Sequence, residues 1–518
     1  MPEINYVPDE GGIGHAFFTH MRKHQNKIAQ IDALTGEKDT FSSLLQRCIR
    51  TAITMRSKGV TSNDIVTLCT FNHLNSMVPF IATFFLSAKV ASLDPTLSLT
   101  DTMHLLKQVT PKMIFVAPEA LELIEKAIEE IPSDIEIVVF GETTKHTKFS
   151  NFLEPKQEEN NFEPIPPKSL YDTAIIFFSS GTSGLPKGIC ISHFAYLGQT
   201  AIGMNVGYDY NVVLAFASPY WITSALFWSI SLIDGTTRLV LPKFDCTITW
   251  EIIHKFRPTF MFVAPSQILS MCIQDRPKHF RSDSLKDVIM GGGPMSREQV
   301  LKVQRAFPNT RVVLGYGQTE VAGFITCFKP NNSKEIMGIP SKPTSSGGGV
   351  PGLTYKVVNP ETEELLGPYQ EGELRIKTKF QMNGYYNMDS SDAWDPDGWL
   401  RSGDIVYYDE DQCFYVVDRM KEMLKFQSWH VLPAVIENVI KTHPSIETAV
   451  VIGVPHDIDG DHPMAIVTLK EGCSKSVTPE TIEKYVEERV HDRQRLRGGV
   501  KIVDVIPVTP SGKVKRKE

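Results

Sequence analysis

A short segment that combines hydroxyl groups, glycines and a lysine has the chemistry to bind phosphate. Residues 179–188 read Ser-Ser-Gly-Thr-Ser-Gly-Leu-Pro-Lys-Gly and follow an apolar run, residues 174–178, that predicts a buried strand. Glycines bring backbone amides close to a ligand, and the hydroxyls and Lys187 can donate to anionic oxygens. The segment is not a P-loop, because Gly188 follows the lysine. It predicts a polyphosphate-binding loop, with a flexible surface loop as the alternative.

Three later segments carry groups that suit the same kind of ligand. The glycine-rich turn at residues 290–294 lets a flat ligand approach the backbone. Residues 314–320 read Leu-Gly-Tyr-Gly-Gln-Thr-Glu, in which the tyrosine offers a ring face. Thr319 and Glu320 add the hard oxygen ligands that Mg²⁺ prefers. Asp404 follows a tight turn, where a carboxylate can bind a ribose diol. Taken alone, each segment is an ordinary turn.

Composition describes a globular protein with an acidic balance. The 518 residues are 42% hydrophobic and 22% charged, with a net charge of −7. This balance argues against nucleic acid or an anionic membrane as the main partner, so an anionic substrate needs a local cluster of positive charge. The eight cysteines show no metal-ligand or redox-motif spacing and are predicted to be free thiols.

The lack of an export signal in the sequence favours an intracellular protein. The first residues lack the basic and then apolar order of a signal peptide. The strongest apolar run, residues 80–86, is too short to span a bilayer and predicts a core helix, so we expect no transmembrane segment. The sequence does not end in Ser-Lys-Leu. The expected compartment is the cytoplasm, or the peroxisome if a C-terminal signal was trimmed.

Strand-like and helix-like segments alternate through the first two thirds of the chain. Strands are predicted at residues 65–68, 112–116, 135–140 and 238–241, and a helix at residues 118–130. Such alternation indicates the α/β class, with layered and largely parallel sheets.

The last third of the chain has a different pattern of predicted elements. Short strands at residues 355–358 and 373–377 predict a small β-rich subdomain. A charged connector then leads to a compact α+β unit, in which Thr478 is a good helix N-cap. The predicted domains are residues 1–417 and residues 418–518, with a hinge near residues 419–421.

The order of the motifs resembles one superfamily. The chain carries, in sequence, SSGTSGLPKG, GYGQTE, WLRSGD, DRMK and SGK. This order resembles the adenylate-forming enzymes, which include acyl-CoA synthetases, 4-coumarate–CoA ligases, beetle luciferases and peptide-synthetase adenylation domains. Residues 384–387 and 497–500 look most like the insect luciferase-like acyl-CoA synthetase branch. The resemblance implies a large N-terminal domain of layered α/β sheets with a β-barrel-like subdomain, and a small mobile α+β C-terminal domain.

The resemblance also implies a role for each motif. The residues implied to hold the ATP phosphates are Ser179, Ser180, Gly181, Thr182, Ser183, Gly184, Lys187 and Thr319. Those implied to line the adenine and ribose sites are Gly293, Leu314, Gly315, Tyr316, Gly317, Asp404, Val416 and Arg419. Those implied to contact the cofactors from the C-terminal side are Lys421, Gln427, Ser428 and Lys513. Thr182 and Glu320 are the implied Mg²⁺ ligands.

The implied chemistry is a two-step ligation that uses ATP, Mg²⁺ and coenzyme A. A carboxylate attacks the α-phosphate and gives an acyl-adenylate and pyrophosphate, while Lys187, Lys513 and Mg²⁺ offset the charge. The C-terminal domain then rotates about Lys421, and coenzyme A displaces AMP in a step served by Lys425. The candidate catalytic residues are Lys187, Thr319, Lys425 and Lys513.

The sequence departs from the family pattern in three segments. Trp221 and Ile222 stand where many relatives carry a histidine near the carboxylate, which makes the acid pocket more apolar. Phe324 would fill space that a luciferin-sized heterocycle uses. Ser428 replaces a glycine in the loop that approaches the pantetheine arm, which leaves the thiol acceptor open. The candidate pocket residues are Tyr220, Trp221, Ile222, Gly291, Gly292, Gly323 and Phe324.

These features predict an acid–thiol ligase of the acyl-CoA synthetase type that acts on a medium- or long-chain fatty acid. The alternatives are a luciferase-type monooxygenase, an aryl (4-coumarate-like) CoA ligase, and a catalytically silent ligand-binding homologue. Phe324 argues against the first, and Glu320 together with the intact lysines, Lys187, Lys425 and Lys513, argues against the last. The expected partners are a small carboxylic acid, ATP and coenzyme A, with no nucleic acid. We expect a monomer; the acid's chain length and the oligomeric state stay open.

Overall fold

A computed structural model describes residues 6–131, 134–178, 186–272, 281–426, 429–456, 459–473, 477–490, 492–508, 514 and 516. Within these residues the α-helices are α1 Gly12–Lys23, α2 Phe41–Ser57, α3 Val78–Phe85, α4 Leu99–Val109, α5 Leu121–Ile128, α6 His193–Asn205, α7 Ile222–Asp234, α8 Cys246–Phe256, α9 Pro265–Met271, α10 Arg297–Ala306, α11 Ser333–Gly338, α12 Pro433–Lys441 and α13 Pro479–Glu487.

The strands of the described residues form three sheets. Their bounds are β1 Ile28–Asp32, β2 Lys38–Thr40, β3 Ile65–Cys69, β4 Lys89–Leu93, β5 Met113–Val116, β6 Glu136–Val139, β7 Thr147–Lys148, β8 Thr173–Phe178, β9 Gly188–Ser192, β10 Val212–Ala215, β11 Thr237–Val240, β12 Phe260–Val263, β13 Asp287–Gly291, β14 Arg311–Gln318, β15 Gly323–Cys327, β16 Gly347–Gly349, β17 Leu353–Val358, β18 Gly372–Thr378, β19 Gly384–Tyr385, β20 Leu400–Tyr408, β21 Cys413–Arg419, β22 Leu424–Phe426, β23 Trp429–Val431, β24 Ile446–His456, β25 Gly460–Leu469 and β26 Val500–Ile502.

The largest sheet has a parallel half and an antiparallel half. Its thirteen strands follow the order β17-β18-β20-β21-β16-β15-β14-β13-β12-β10-β11-β1-β2. Strands β11, β10, β12, β13 and β14 pair in parallel, and their helical crossovers fit an α/β layer. From β14 onward the pairing is antiparallel, through β15, β16, β21, β20, β18 and β17. The two halves therefore meet at β14.

The second sheet leads directly into the phosphate-loop motif. Its eight strands follow the order β19-β9-β8-β4-β3-β5-β6-β7. Strand β8 ends at Phe178, where the motif begins, and pairs in antiparallel register with β9, which begins at Gly188. The predicted buried strand before this motif is confirmed.

The C-terminal sheet is small and follows the large sheet along the chain. Strand β21 ends in the large sheet, whereas β22 pairs with β23 and β25, β24 with β25, and β26 with β25. Helices α12 and α13 contribute Ile436, Ile440, Ile482 and Val486 to its core. The predicted domain bounds near residue 418 stay a prediction.

The main core lies among the helices between the two large sheets. It collects buried side chains from α1, α2, α3, α6 and α7, together with strands of both sheets. Two further cores contain α8, α9 and α10 on the large sheet, and α4 and α5 on the second sheet. Layers of helix and sheet with a smaller α+β unit confirm the predicted fold class.

Most of the predicted elements are confirmed. The predicted strands at residues 65–68, 112–116, 135–140 and 238–241 correspond to β3, β5, β6 and β11, and the apolar run at residues 80–86 lies in the buried helix α3. All eight cysteines are unpaired. Among the described residues, no helix combines the length and apolar character needed to cross a membrane.

Candidate active site

Three strands of the large sheet bring a tyrosine, an aspartate and an arginine together. Tyr316 lies on β14, while Asp404 and Arg419 face each other across the β20–β21 ladder. The Tyr316 hydroxyl donates to Asp404 Oδ2 at 2.6 Å, and Arg419 Nε lies 3.3 Å from Asp404 Oδ1. The Asp404 carboxylate, only 3% exposed, is therefore held at both oxygens. The implied ribose residues are adjacent in the structure.

The charges of this cluster fix which groups carry protons. Burial raises the pKa of Tyr316 well above its usual value, and the Asp404 carboxylate raises it further, so the hydroxyl stays protonated and donates. Burial works to lower the pKa of Arg419, but nearby carboxylates, with Asp404 the strongest, raise it overall. The site thus presents an acceptor that is charged and a donor that is charged, which can bind hydroxyl and phosphate oxygens respectively.

Gln318 is a member of this cluster that the sequence reasoning missed. Its Nε2 donates to Asp404 Oδ2 and, at 2.9 Å, to the carbonyl of Ser402. Gln318 stands inside the Gly-Tyr-Gly-Gln-Thr-Glu motif, two residues after Tyr316, so alternation along β14 puts both side chains on one face. This spacing of two residues in a predicted strand could have identified Gln318 as a neighbour of Tyr316 in the site.

Two glycines leave open space beside β13. A Cβ added at Gly292, whose φ is +95°, meets nothing within 4 Å, and one added at Gly293 meets only Pro265 at 3.8 Å. By contrast, a Cβ at Gly317 would lie 2.4 Å from the carbonyl oxygen of Gly323. The first two positions can therefore admit a flat ligand, whereas Gly317 is needed for close strand pairing.

The other implied adenine and ribose residues surround this junction. Leu314 is buried on β14. Gly315 pairs with Gly291 of β13, and Val416 pairs with Val406 of β20. Thr319 follows β14 in a short 3₁₀ turn that also contains Glu320. The structure thus places all the described residues of this group on or just after four strands of the large sheet, β13, β14, β20 and β21.

Tyr385 lies near the lysine of the phosphate-loop motif and feels the charge of the implied metal ligand. Lys187 Nζ is 4.8 Å from the centre of the Tyr385 ring. Burial raises the pKa of Tyr385 to about 12, and the Glu320 carboxylate contributes to the rise. Lys187, directly before β9 of the second sheet, and Glu320, in the turn after β14 of the large sheet, therefore both act on Tyr385. The sequence reasoning used Tyr385 only for the branch resemblance.

Phe324 lies among aromatic rings next to the Gly-Tyr-Gly-Gln-Thr-Glu motif. It pairs directly with Gly317 across the β14–β15 ladder. Its ring lies 6.5 Å from that of Phe227 on α7, and the Phe227 ring lies 5.3 Å from that of Phe262 on β12. The Gln199 side chain accepts from the Phe324 amide at 3.0 Å and donates to its carbonyl at 3.1 Å. Gly323 precedes this residue at the start of β15, packed against Leu226.

Tyr220 and Trp221 lie at a different place from Phe324. Their rings meet edge to face at 4.9 Å, and Tyr220 stacks 6.4 Å from Phe178 at the end of β8. Both belong to the core on the second sheet, whereas Ile222, the first residue of α7, belongs to the central core with Phe324. The candidate pocket residues therefore divide into two groups.

Several predicted site residues lie outside what the structure describes. These are Ser179, Ser180, Gly181, Thr182, Ser183, Gly184, Gln427, Ser428 and Lys513. For Lys421 and Lys425 only the backbone is described, with Lys425 in the middle of β22. The roles implied for these residues stay predictions.

Comparison with known proteins identifies the family. The model of the AMP-binding enzyme family matches residues 17–386, and the model of the AMP-binding enzyme C-terminal domain matches residues 435–513. The chain belongs to this family. The chain is 30% identical to a probable CoA ligase of Humulus lupulus, with 99% of this chain and 93% of that protein aligned.

A luciferin 4-monooxygenase and a luciferase-like enzyme complete the comparison. A luciferin 4-monooxygenase of Nipponoluciola cruciata is 28% identical over 99% of this chain and 95% of its own length. A solved structure of the luciferase-like enzyme from the nonluminescent Zophobas morio mealworm superposes with a TM-score of 0.78. It is 39% identical and covers 82% of this chain and 99% of its own. These AMP-binding enzymes confirm the predicted superfamily and its luciferase-like branch.

Proposed function

We propose that this chain is an ATP-dependent acyl-CoA synthetase that activates a medium- or long-chain fatty acid. The observation that carries the proposal is the pairing of Gly317 with Phe324. It places an apolar ring directly across from the strand whose Tyr316 contacts Asp404. We call the group of Tyr316, Gln318, Asp404 and Arg419 the polar side, and the rings of Phe227, Phe262 and Phe324 the aromatic side. A nucleotide bound at the polar side and an acid bound at the aromatic side would therefore meet beside β14.

The first step joins the acid to AMP. A carboxylate oxygen of the acid attacks the α-phosphorus, the new C–O–P linkage forms, and the bond to the β-phosphate breaks with loss of pyrophosphate. Asp404 would accept hydrogen bonds from the ribose hydroxyls, exchanging those from Tyr316 and Gln318. Lys187 lies directly before β9, and its positive charge would stabilise the phosphate oxygens.

The donor set near Tyr385 suits a magnesium ion. Glu320 supplies a carboxylate, a hard oxygen ligand, whose charge acts on Tyr385, the residue that Lys187 also contacts. Mg²⁺ bound there would neutralise charge on the phosphates and keep the pyrophosphate a good leaving group.

The second step transfers the acyl group to coenzyme A. The thiol sulfur attacks the acyl carbonyl, the carbon–oxygen bond to AMP breaks, and the thiol proton leaves to solvent. Lys425 serves this step in the proposal, from the middle of β22. The relative from Humulus lupulus, a probable CoA ligase, supports coenzyme A as the acceptor.

A fatty acid fits the aromatic side because that side is apolar. Phe227, Phe262 and Phe324 contribute rings, and the Phe324 backbone groups are already paired with Gln199. The same rings would also stack on an aryl acid, which makes a 4-coumarate-like ligase the second candidate. The fixed Phe324 leaves less room for a luciferin-sized heterocycle.

A competition between acids tests the proposal. Purified protein would receive ATP, Mg²⁺, coenzyme A and an equimolar mixture of octanoate, dodecanoate, palmitate and 4-coumarate, and thioesters would be measured by mass spectrometry. We expect the fatty acyl thioesters to dominate. Dominance of 4-coumaroyl-CoA would select the second candidate. Light emission with luciferin and oxygen, without any thioester, would contradict both.

A further inference from the structure

Two histidines and an aspartate converge at the tip of the β24–β25 hairpin of the C-terminal sheet. Asp459 Oδ2 lies 2.9 Å from His462 Nε2 and 3.4 Å from His456 Nδ1. The ligand atoms of all three lie within 4.8 Å of one another. Among the described residues, this is the one group of three or more His, Cys, Asp or Glu side chains with such spacing.

The hairpin register explains why the histidines meet. His456 pairs with Gly460, and Val454 pairs with His462. Because side chains alternate along a strand, His456 and His462 lie diagonally on the same face of the hairpin. Their rings stack almost parallel, with centroids 4.0 Å apart and planes at 13°. Phe426 packs 5.8 Å from the His462 ring and helps to orient it.

The spacing matches that of ligands around one small metal ion. Two atoms each about 2.0–2.1 Å from a tetrahedral zinc ion lie about 3.3 Å apart. The separation of 3.4 Å between Asp459 and His456 is close to that value, and the separation of 2.9 Å between Asp459 and His462 needs a small opening. We propose that His456, Asp459 and His462 form a binding site for a divalent transition metal, with zinc as the bound ion.

The donor types select the metal. Two imidazole nitrogens and one carboxylate oxygen suit zinc and its neighbours, whereas magnesium and calcium take oxygen ligands. Three protein ligands leave a coordination position for water, and the partial exposure of His456 admits solvent. Binding through His456 Nδ1 replaces the hydrogen bond that this nitrogen accepts from the Asp459 amide at 3.2 Å.

The site lies against the strand that carries Lys425. Phe426 pairs with Gly460, the residue that follows Asp459 in the chain. A metal ion at the hairpin tip would therefore tie the β24–β25 turn together beside β22. Since the ion binds only the folded arrangement, it stabilises the protein against unfolding.

Zinc binding to the purified, chelator-treated full chain tests the proposal. Calorimetric titration would compare the wild type with His456→Ala, Asp459→Asn and His462→Ala. His15→Ala is the matched control, because His15 pairs with a single carboxylate, Asp9, at 2.9 Å. We expect one zinc ion per chain for the wild type and His15→Ala, and binding at least about 10-fold weaker for each cluster variant. Zinc should raise the thermal midpoint of the wild type but not of His462→Ala.

X-ray absorption of the zinc-loaded wild type gives an answer that does not depend on any variant. Nitrogen and oxygen neighbours at about 2.0–2.1 Å, with two imidazoles, are expected. A sulfur shell at about 2.3 Å would place the ion on cysteines and overturn the proposal. Absence of saturable binding in the wild type, or equal affinity in all the variants, would overturn it as well.

Discussion

The polar side and the aromatic side of the candidate active site are held in different ways. On the polar side, Asp404 receives directional contacts from Tyr316, Gln318 and Arg419, which come from β14 and β21. On the aromatic side, Phe324 meets Phe227 through ring packing. Hydrogen bonds specify atoms, whereas packing specifies volume. Changes on the polar side should therefore weaken ATP use with every acid, and changes on the aromatic side should alter the choice among acids.

The largest effect is expected for Asp404→Ala. It removes the shared acceptor and leaves the Arg419 guanidinium without this carboxylate, and loss of a buried charged partner costs about 3 kcal/mol, or roughly 100-fold in rate. ATP–pyrophosphate exchange should fall by that factor with every acid. Asp397→Ala, an exposed aspartate in the preceding turn, is the control and should keep wild-type exchange. A loss confined to one class of acid would contradict the comparison.

Phe324→Ala tests the aromatic side. Removing the ring enlarges the acid side, so the kcat/KM ratio of 4-coumarate to dodecanoate should change by about 10-fold, while the KM for ATP stays constant. Both this variant and the control Phe307→Ala should lose about 3 kcal/mol of stability, because Phe307 is also buried and stacks on Trp250 in a different core. An unchanged acid preference in Phe324→Ala would place Phe324 in the core only.

Tyr316→Phe removes a single hydrogen bond on the polar side. The net contribution of one such bond is about 1 kcal/mol, so the KM for ATP should rise about 5-fold without a change in acid preference. Tyr415→Phe is a matched control, since the Tyr415 hydroxyl donates to Asp409 at 3.1 Å outside the candidate site. An equal rise in both variants would show that the effect is structural.

The smallest effect on activity is expected at Asp418, a second buried carboxylate beside Arg419. Burial raises the pKa of Asp418 to about 6, although it accepts hydrogen bonds from the amides of Ala434 and Arg419. Arg516 favours the charged form and Glu422 disfavours it. Since the folded-state pKa lies above the unfolded value of about 3.9, this group stabilises the protein at pH 4 and loses that contribution as the pH rises through 6.

Thermal unfolding from pH 4 to 7 measures this contribution. The difference between the midpoints of the wild type and Asp418→Asn should change by a few degrees across this interval, in favour of the wild type at pH 4. If the midpoints of the two proteins changed with pH in parallel, burial would not raise the pKa of Asp418. Exchange activity at pH 7 should change little, unlike that of Asp404→Ala.

The polar side was accessible from the sequence because its residues stand in ordered motifs. Tyr316 and Asp404 lie 88 positions apart, and the structure joins them by a hydrogen bond. The motif also contained Gln318, but its contact depends on the register between strands, which the sequence pattern does not specify. Among the element predictions, the N-cap at Thr478 is confirmed at the start of α13, where its side chain accepts a hydrogen bond from the Thr481 amide.

The aromatic side was less accessible because packing has no motif. Phe227 and Phe262 were not singled out, since an apolar residue on a helix or strand has the same pattern whether it lines a pocket or a core. Trp221 and Phe324 were grouped as pocket residues, yet they pack in different clusters. That division depends on the path of α7 between the sheets. The roles of Lys513, Lys425 and the hinge stay predictions.

Acid-dependent ATP–pyrophosphate exchange tests the central claim most directly. The wild-type protein would be measured with dodecanoate, palmitate, 4-coumarate and no acid, each with and without coenzyme A. We predict exchange that depends on a fatty acid, exceeds that with 4-coumarate, and is accompanied by a fatty acyl thioester when coenzyme A is added. The account would be contradicted if no acid supported exchange in protein whose cooperative thermal unfolding shows that it is folded.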